Sequence, residues 1–477
     1  SPLEETDRLP TLFGGCLVPW GTARGALVNI IVIGGGRVGA TLASGLASDG
    51  HDVTVVEKSP AKVLDLAETL DVRLLEGNGA TAPVLRRAGV EAAEVVVATS
   101  DSDEVNFIAG RLAASLFAVP RVVVRLRDAE HVEGFTALSR DHPGEHVCVN
   151  PDAAAVDHIV SLLEVPGAVE VGSFMDGELL VAGFRIGERS DFAGLTLSHV
   201  QLMFADTTTL VAAIHRGESW IIPHGAEEMR AGDLVYFAVA REHLGGVLSL
   251  VGEFQESRRQ VLVAGASRIG LELARRLETR QPVTVIEADR ERALRASELL
   301  GESLVVHGPA TDQALLEEED IDRVATFIAV TGDHESNLVA GLLAKRLGAG
   351  RSFALVDNPA LATYDTFGGM GIDAIISPRL LAVGLIRKHI RGSKVRSLAT
   401  LLEEKVEVVE AEASRGGPLT KAPLAELGLP RGVLVAAVRR GGTLLVPRGG
   451  DRVEAGDFVL LIASADTAPR LDAFLND

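Results

Sequence analysis

The chain has 477 residues, more than one ordinary domain holds, and it is 47% hydrophobic but only 4% aromatic. Its cores must therefore be built from Val, Ile, Leu and Ala, as in parallel sheets covered by helices. Its 46 basic and 66 acidic residues leave a net charge of −20, which argues against nucleic acid as a partner, because attraction to a phosphate backbone needs the opposite sign. Cys16 and Cys148 are the 2 cysteines; they stand far apart and outside any metal-ligand spacing, which argues against a disulfide framework and a zinc site.

Residues 1–27 lack both the apolar periodicity of the later chain and the apolar region of a signal peptide,. They are read as an extension or remnant extraneous to the fold, which starts near Val28. No stretch of the chain approaches the roughly 18 to 20 apolar residues that span a bilayer, so a soluble chain with no direct membrane insertion is expected.

The next stretch, NIIVIGGGRVGATLASGLASDGHDVTVVEK (29–58), predicts a strand, a glycine turn, a helix and a second strand. Gly34, Gly36 and Gly39 form GxGxxG: the first permits a tight turn, the second close approach of a pyrophosphate, and the third close packing of helix on strand. The helix after the loop offers free N–H groups and partial positive charge to phosphates. Glu57 ends the second strand 21 residues after Gly36, where an acid accepts hydrogen bonds from an adenosine ribose and repels a 2′-phosphate. NAD(H) or ATP/ADP is favoured over NADP(H). Later strands should end at the same rim, which brings in Asn78, Thr99, Ser100, Asp101, Arg125 and Arg127. An arginine there could meet a phosphate or pair with Asp101 or Asp103.

Further along, NPDAAAVDHIVSLLE (150–164) reads as a capped helix with proline at its first position,. Short apolar runs broken by Arg-Gly and Gly-Asp turns then suggest a small sheet-rich module. The whole pattern repeats. QVLVAGASRIGLELARRLETRQPVTVIEA (260–288) echoes the opening stretch, with Gly270 answering Gly39 and Glu287 answering Glu57. EVVVATSDSDEVN is matched by TFIAVTGDHESN, the capped helix by SPRLLAVGLIRKHI, and 215–240 by 439–464. The second glycine loop reads Gly265, Ala266, Ser267, Arg268, Ile269, Gly270; the side chain of Ser267 should crowd the phosphate approach, and FALVDN places Ala354 where Arg125 stands in the first half.

The expected class is α/β: two Rossmann-like doubly wound parallel-sheet lobes, each followed by a small α+β lobe. The expected boundaries are 28–150 and 258–376 for the Rossmann lobes, 151–166 and 377–393 for the connecting helices, and 167–254 and 394–477 for the small lobes. The connecting helices read either as surface helices or as elements docking on a neighbouring copy.

A dehydrogenase needs a proton donor or acceptor beside the nicotinamide. His199, His215, His224 and His243 form no cluster with an obvious partner, and no HExxH, GxSxG or GxxxxGK[ST] occurs. No catalytic residue and no metal ligand is assigned. A nucleotide pocket without chemistry points to a sensor, in which binding favours one of two shapes.

The quoted glycine stretches, the TSDSDEVN loop, VVVRLRD, VPGAVEV and LLAKRLGA closely resemble the TrkA family, whose plan is two tandem RCK (KTN) domains, each a Rossmann lobe followed by a small lobe. The resemblance covers about 28–477. It implies a cytoplasmic regulatory subunit, peripheral on the inner face of the membrane, that binds NAD(H) and ATP/ADP. It further implies a homotetrameric ring that gates a TrkH-type potassium channel subunit. By position the family's nucleotide contacts fall on Gly34, Gly36, Arg37, Val38, Glu57, Asn78, Ser100, Asp101 and Arg125, and on Gly265, Ser267, Arg268, Ile269, Glu287, Thr331 and Gly332. Glu57 in place of aspartate, Ser267 in place of glycine, and Pro309 in place of an acid depart from the family pattern. An NAD-dependent oxidoreductase and an RCK regulator of another cation transporter are the competing readings.

Overall fold

The computed structural model describes residues 28–477 apart from 141, 218, 224, 253–258, 358–370, 391–394, 402–405, 431, 465–466, 468–470, 472–473 and 475–477. The amino-terminal extension read from the sequence, and His224, therefore lie outside the described residues.

Four sheets succeed one another along the chain. The first contains six parallel strands, Asn29–Ile33, Asp52–Glu57, Arg73–Glu76, Val95–Ala98, Arg121–Arg125 and Glu145–Val149, arranged 3-2-1-4-5-6 in chain order. The central strand VVVA is buried at every position, as expected for a sheet covered on both faces. One face packs on the glycine helix Arg37–Ser48 through Val32, Val55 and Val97 against Leu42 and Leu46; the other is filled by Ile31, Val96, Val122, Leu85 and Phe135. A second sheet, Val261–Ala264 through Ala374–Ile376, has the same six-strand order. Its glycine helix is Arg268–Leu277.

Each six-stranded sheet is followed by the five-stranded sheet of a smaller lobe. The first runs in the order 168–174, 179–185, 234–240, 209–216, 219–221, and the second 395–401, 406–412, 458–464, 433–440, 443–445, which is the same topology. All pairings within them are antiparallel. The two small lobes share one apolar core, in which Val181, Ala213 and Tyr236 join Val408, Ala437 and Ile462.

The connecting helices Pro151–Glu164 and Pro378–Ile390 cross between the halves. Ala155, Val156 and Ile159 pack with Ile269 and Leu273 of the second glycine helix, while Ala382, Val383 and Ile386 pack with Leu42 and Leu46 of the first. The neighbouring copy on which each helix docks is thus the other half of the same chain. Asn150 caps the first helix by accepting from the backbone N–H groups of Asp152 and Ala153 at 3.0 and 3.1 Å, and proline comes next, where no N–H is needed. Their far ends are held in the same reciprocal way. Arg121 of the first lobe donates to the Ile390 carbonyl, and Arg351 of the second donates to the Leu162 carbonyl at 2.9 Å and to Ala168. Cationic side chains there meet both the orphan carbonyls and the negative end of the helix dipole.

Candidate nucleotide site

The first glycine loop leaves its strand at Gly34 with φ +98°, and a Cβ there would lie 2.6 Å from the backbone N of Ser100. Only glycine meets both conditions. At Gly39 a Cβ would sit 1.9 Å from the Gly34 carbonyl oxygen, so the helix can approach the strand this closely only without a side chain. Gly36 differs: a Cβ would meet nothing nearer than Asp101 Oδ1 at 3.7 Å. No described residue fills that space, and this open side of the loop adjoins the cleft into which the N-terminal turn of the glycine helix faces.

Glu57, 5% exposed, closes the loop from below. Its carboxylate accepts from the backbone N–H of Gly35 at 2.8 Å and of Ser59 at 2.9 Å. Each oxygen keeps a further lone pair for a ribose hydroxyl. The cleft is walled by Gly34, Gly36, Glu57, Asn78, Ser100 and Asp101, with Lys58 and Lys62 at its mouth. Asn78 Oδ1 accepts from the Ala80 N–H at 3.0 Å, turning the loop beneath it. Arg37 and Val38 open the glycine helix, the former exposed and the latter buried.

Arg125 is 4% exposed, donates to the Ser100 carbonyl at 3.2 Å and stands 3.8 Å from Asp101 Oδ1. Burial, and then the neighbouring Arg127, push its pKa below the ordinary arginine value. Asp103 instead accepts from backbone, taking the N–H groups of Arg127 and Asp128 at 2.7 and 2.8 Å.

Sequence reasoning missed Asn106. It is fully buried, and its Oδ1 accepts from both the N–H and the hydroxyl of Ser100 at 2.8 Å, while its Nδ2 donates to the Ser100 and Arg125 carbonyls at 2.9 Å. This one amide sets the wall of the cleft. Asn337 repeats it, holding Thr331 and the Leu355 carbonyl. The signal was present, since both asparagines end the repeated motifs EVVVATSDSDEVN and TFIAVTGDHESN.

The second loop has the same frame. Gly265 has φ +109°, a Cβ at Gly270 would lie 2.0 Å from the Gly265 carbonyl oxygen, and Glu287 accepts from the Ala266 N–H at 2.7 Å. Ser267 is the N-cap: its hydroxyl accepts from the Gly270 N–H at 3.1 Å and donates to the Val330 carbonyl at 2.7 Å. That hydroxyl is turned into the loop. Arg268 pairs with Asp152 of the crossing helix at 3.1 Å, and Ile269 is buried against it. Thr331 and Gly332 begin the loop after the fourth strand, the place of Ser100 and Asp101. One sequence correspondence needs correction. Val124 pairs with Ala98 and Ala354 with Ala329, so Ala354 answers Val124 and the residue answering Arg125 is Leu355. The half-to-half offset shifts by a residue, which sequence matching alone did not resolve.

No group of three or more His, Cys, Asp or Glu able to hold a metal occurs among the described residues. No described helix is long and apolar enough to cross a membrane.

The fold and loop define a class: a tandem protein of two Rossmann-type nucleotide-binding lobes, each carrying a small antiparallel lobe, with the halves clasped by crossing helices. Comparison with known proteins narrows it. The TrkA-N domain model matches residues 30–143 and 261–378, and the TrkA-C domain model matches 181–252 and 408–476. The Trk system potassium uptake protein TrkA of Azorhizobium caulinodans is 34% identical over 450 residues, which cover 93% of this chain and 98% of that protein. TrkA of Halomonas elongata is 33% identical over 437 residues, covering 91% and 95%. Among solved structures, the GsuK RCK domain superposes with a TM-score of 0.59 at 20% identity over 94% of this chain and 95% of that one. The GsuK channel bound to NAD gives 0.59 at 20% identity over 94% and 79%. The chain belongs to the TrkA family and is built of two tandem RCK domains.

Proposed function

We propose that the chain is the nucleotide-binding regulatory subunit of a Trk-type potassium uptake system. NAD(H) and ATP/ADP bind at the glycine loops, and exchange between them shifts the angle between the clasped halves. The observation that carries this reading is the first cleft: a glycine loop open only at Gly36, a buried acid with spare lone pairs at Glu57, and a wall fixed by Asn106. Gly34, Gly36, Arg37, Val38 and Gly39 would hold the pyrophosphate, Glu57 the ribose, and Asn78, Ser100, Asp101 and Arg125 the remainder. In the second half the same work falls to Gly265, Ser267, Arg268, Ile269, Gly270, Glu287, Thr331 and Gly332. Among solved relatives of this fold, the GsuK channel has been seen with NAD, which supports the choice of ligand.

The wall of the first cleft offers carboxylates, hydroxyls and an amide, with Lys58 and Lys62 at the mouth and no histidine, tyrosine or cysteine among the described lining residues; binding without turnover is the reading we adopt. Binding energy then acts mechanically, and the shift it can drive is limited to the difference in affinity between two shapes. The chain works in the cytoplasm, peripheral on the inner face of the membrane, its partner is a TrkH-type potassium channel subunit, and the working assembly is a homotetramer. Copurification from membranes with nucleotide present tests this; capture of a different cation transporter in place of a TrkH-type subunit would overturn the partner.

A further inference from the structure

The glycine helix Arg37–Ser48 runs for 12 residues from the first cleft to its C-cap, Asp49, a length of about 18 Å. A carboxylate at that end meets the negative pole of the helix and is unfavourable without a cation. Arg387 supplies one. Its Nη2 lies 2.8 Å from Asp49 Oδ2 and 3.0 Å from Glu407 Oε1. Arg387 stands on the crossing helix Pro378–Ile390, directly after the Ile386 that packs with Leu42 and Leu46 of the glycine helix. Glu407 belongs to the second small lobe, on the strand Val406–Glu412, where it pairs with Ala463 of the neighbouring strand. One guanidinium nitrogen thus joins the far end of the first glycine helix, a helix of the second half and the sheet beyond it.

The junction is largely shielded from water, with the side chains of Asp49, Arg387 and Glu407 only 19%, 9% and 3% exposed. Buried ions hold one geometry, because parting them leaves each charge unpaired in a low-dielectric setting, whereas apolar contacts are non-directional and can slide. A shift of the glycine helix therefore cannot be absorbed at its end; it carries Arg387 and Glu407 with it. The same three kinds of element meet in the other half with the charges inverted. Arg280, placed ten residues past Gly270 as Asp49 is past Gly39, lies 3.9 Å from Glu164 of the crossing helix, and Glu164 lies 3.3 Å from Arg241, which follows the small-lobe strand Leu234–Ala240. That second set lies at the surface, where such pairs are weak.

Resting on the nucleotide-site reading above, we propose that Arg387 is a positioning residue that carries the state of the first cleft into the second small lobe. When the loop end of the glycine helix takes up a nucleotide, the far end moves, and the Asp49–Arg387–Glu407 junction passes that movement to the strand Val406–Glu412.

The test is amide hydrogen exchange of the full chain, read by mass spectrometry, without nucleotide and with saturating ATP or NADH. In the unmodified chain the nucleotide should change exchange across the strands Val406–Glu412 and Phe458–Ser464 by at least about fivefold, the lower end of ordinary coupling between sites. Gly36→Asp, which closes the first cleft, should remove that change. Asp49→Ala cuts the junction without stranding a charge, since Arg387 and Glu407 remain a neutral pair. A second variant, Asp49→Asn with Arg387→Val and Glu407→Leu, replaces the whole junction by uncharged side chains. Each variant that melts cooperatively should still bind ATP by calorimetry, keep its nucleotide-free exchange pattern and lose the response of the second small lobe. A response that persists in either folded variant, or its absence from an unmodified chain that has bound ATP, overturns the proposal. If the unmodified chain binds neither ATP nor NADH, the nucleotide-site reading itself fails, and the proposal with it.

Discussion

Replacing Asn106 with alanine removes four hydrogen bonds from a fully buried side chain. Two of the groups it serves keep a second partner: the Ser100 hydroxyl still reaches the Ser102 carbonyl at 3.2 Å, and the Ser100 carbonyl still receives Arg125 at 3.2 Å. The Ser100 N–H and the Arg125 carbonyl are left without one. At about 1 to 3 kcal/mol for each stranded group, and with Ser100 only partly buried, the loss should come to roughly 2 to 4 kcal/mol. Urea denaturation followed by far-ultraviolet circular dichroism reads this as a lower midpoint for the first half. Nucleotide affinity at the first site should fall as well, because the released loop carries Ser100 and Asp101. Asn337→Ala should do the same to the second half through Thr331 and Leu355. A change under about 0.5 kcal/mol, the range of ordinary surface substitutions, would refute the claim that this amide sets the cleft wall.

The same geometry sets other outcomes. Gly36→Asp should abolish binding at the first site with little loss of stability, since its Cβ meets nothing nearer than 3.7 Å, whereas Gly39→Ala should destabilise the fold outright, its Cβ falling 1.9 Å from a carbonyl oxygen; thermal melts of the two variants separate these effects. Glu57→Ala should weaken nucleotide binding by about 1 to 3 kcal/mol, as one charged hydrogen bond is lost, and an unchanged isotherm would show that the ribose lies elsewhere. Burial pushes the Cys148 thiol up to about 12, so in a Cys16→Ser chain no thiolate should be available at pH 8, and a thiol reagent should react only after unfolding; rapid native-state labelling contradicts this. Arg351→Met should loosen the clasp between halves by uncapping Leu162 and Ala168, seen as faster amide exchange in the helix Pro151–Glu164.

The local parts of this molecule were legible in its sequence. Two strand–glycine–helix–strand units, their acids, and the capped helices beginning at Pro151 and Pro378 can all be read from spacing, because each depends on neighbours within about thirty residues. What the sequence hid is non-local. The crossing of the two connecting helices depends on which apolar face finds which partner across more than a hundred residues, and Arg121 and Arg351 were ordinary strand residues until the helix ends they cap were in place. Asn106 and Asn337 look like surface residues of a polar loop, and only the strand ends they bridge show why an amide, with donors and acceptor in one plane, is needed there. Ser267 also caps its helix, its hydroxyl accepting from the Gly270 N–H and donating to the Val330 carbonyl, a role that spacing did not reveal. The mismatch of Ala354 with Arg125 came from repeats whose spacing differs by a residue, and strand register alone corrects it.

The central claim is that the clefts hold nucleotides and use them as signals. Calorimetric titration of the chain with NADH, NAD, NADPH, ATP and ADP, with light scattering for assembly state and chromatography of the recovered ligand, tests it most directly. The expected result is saturable binding of NADH and ATP by a stable oligomer, with every molecule of ligand recovered unchanged. Failure of all five to bind, or conversion of any of them by the chain alone, would contradict it.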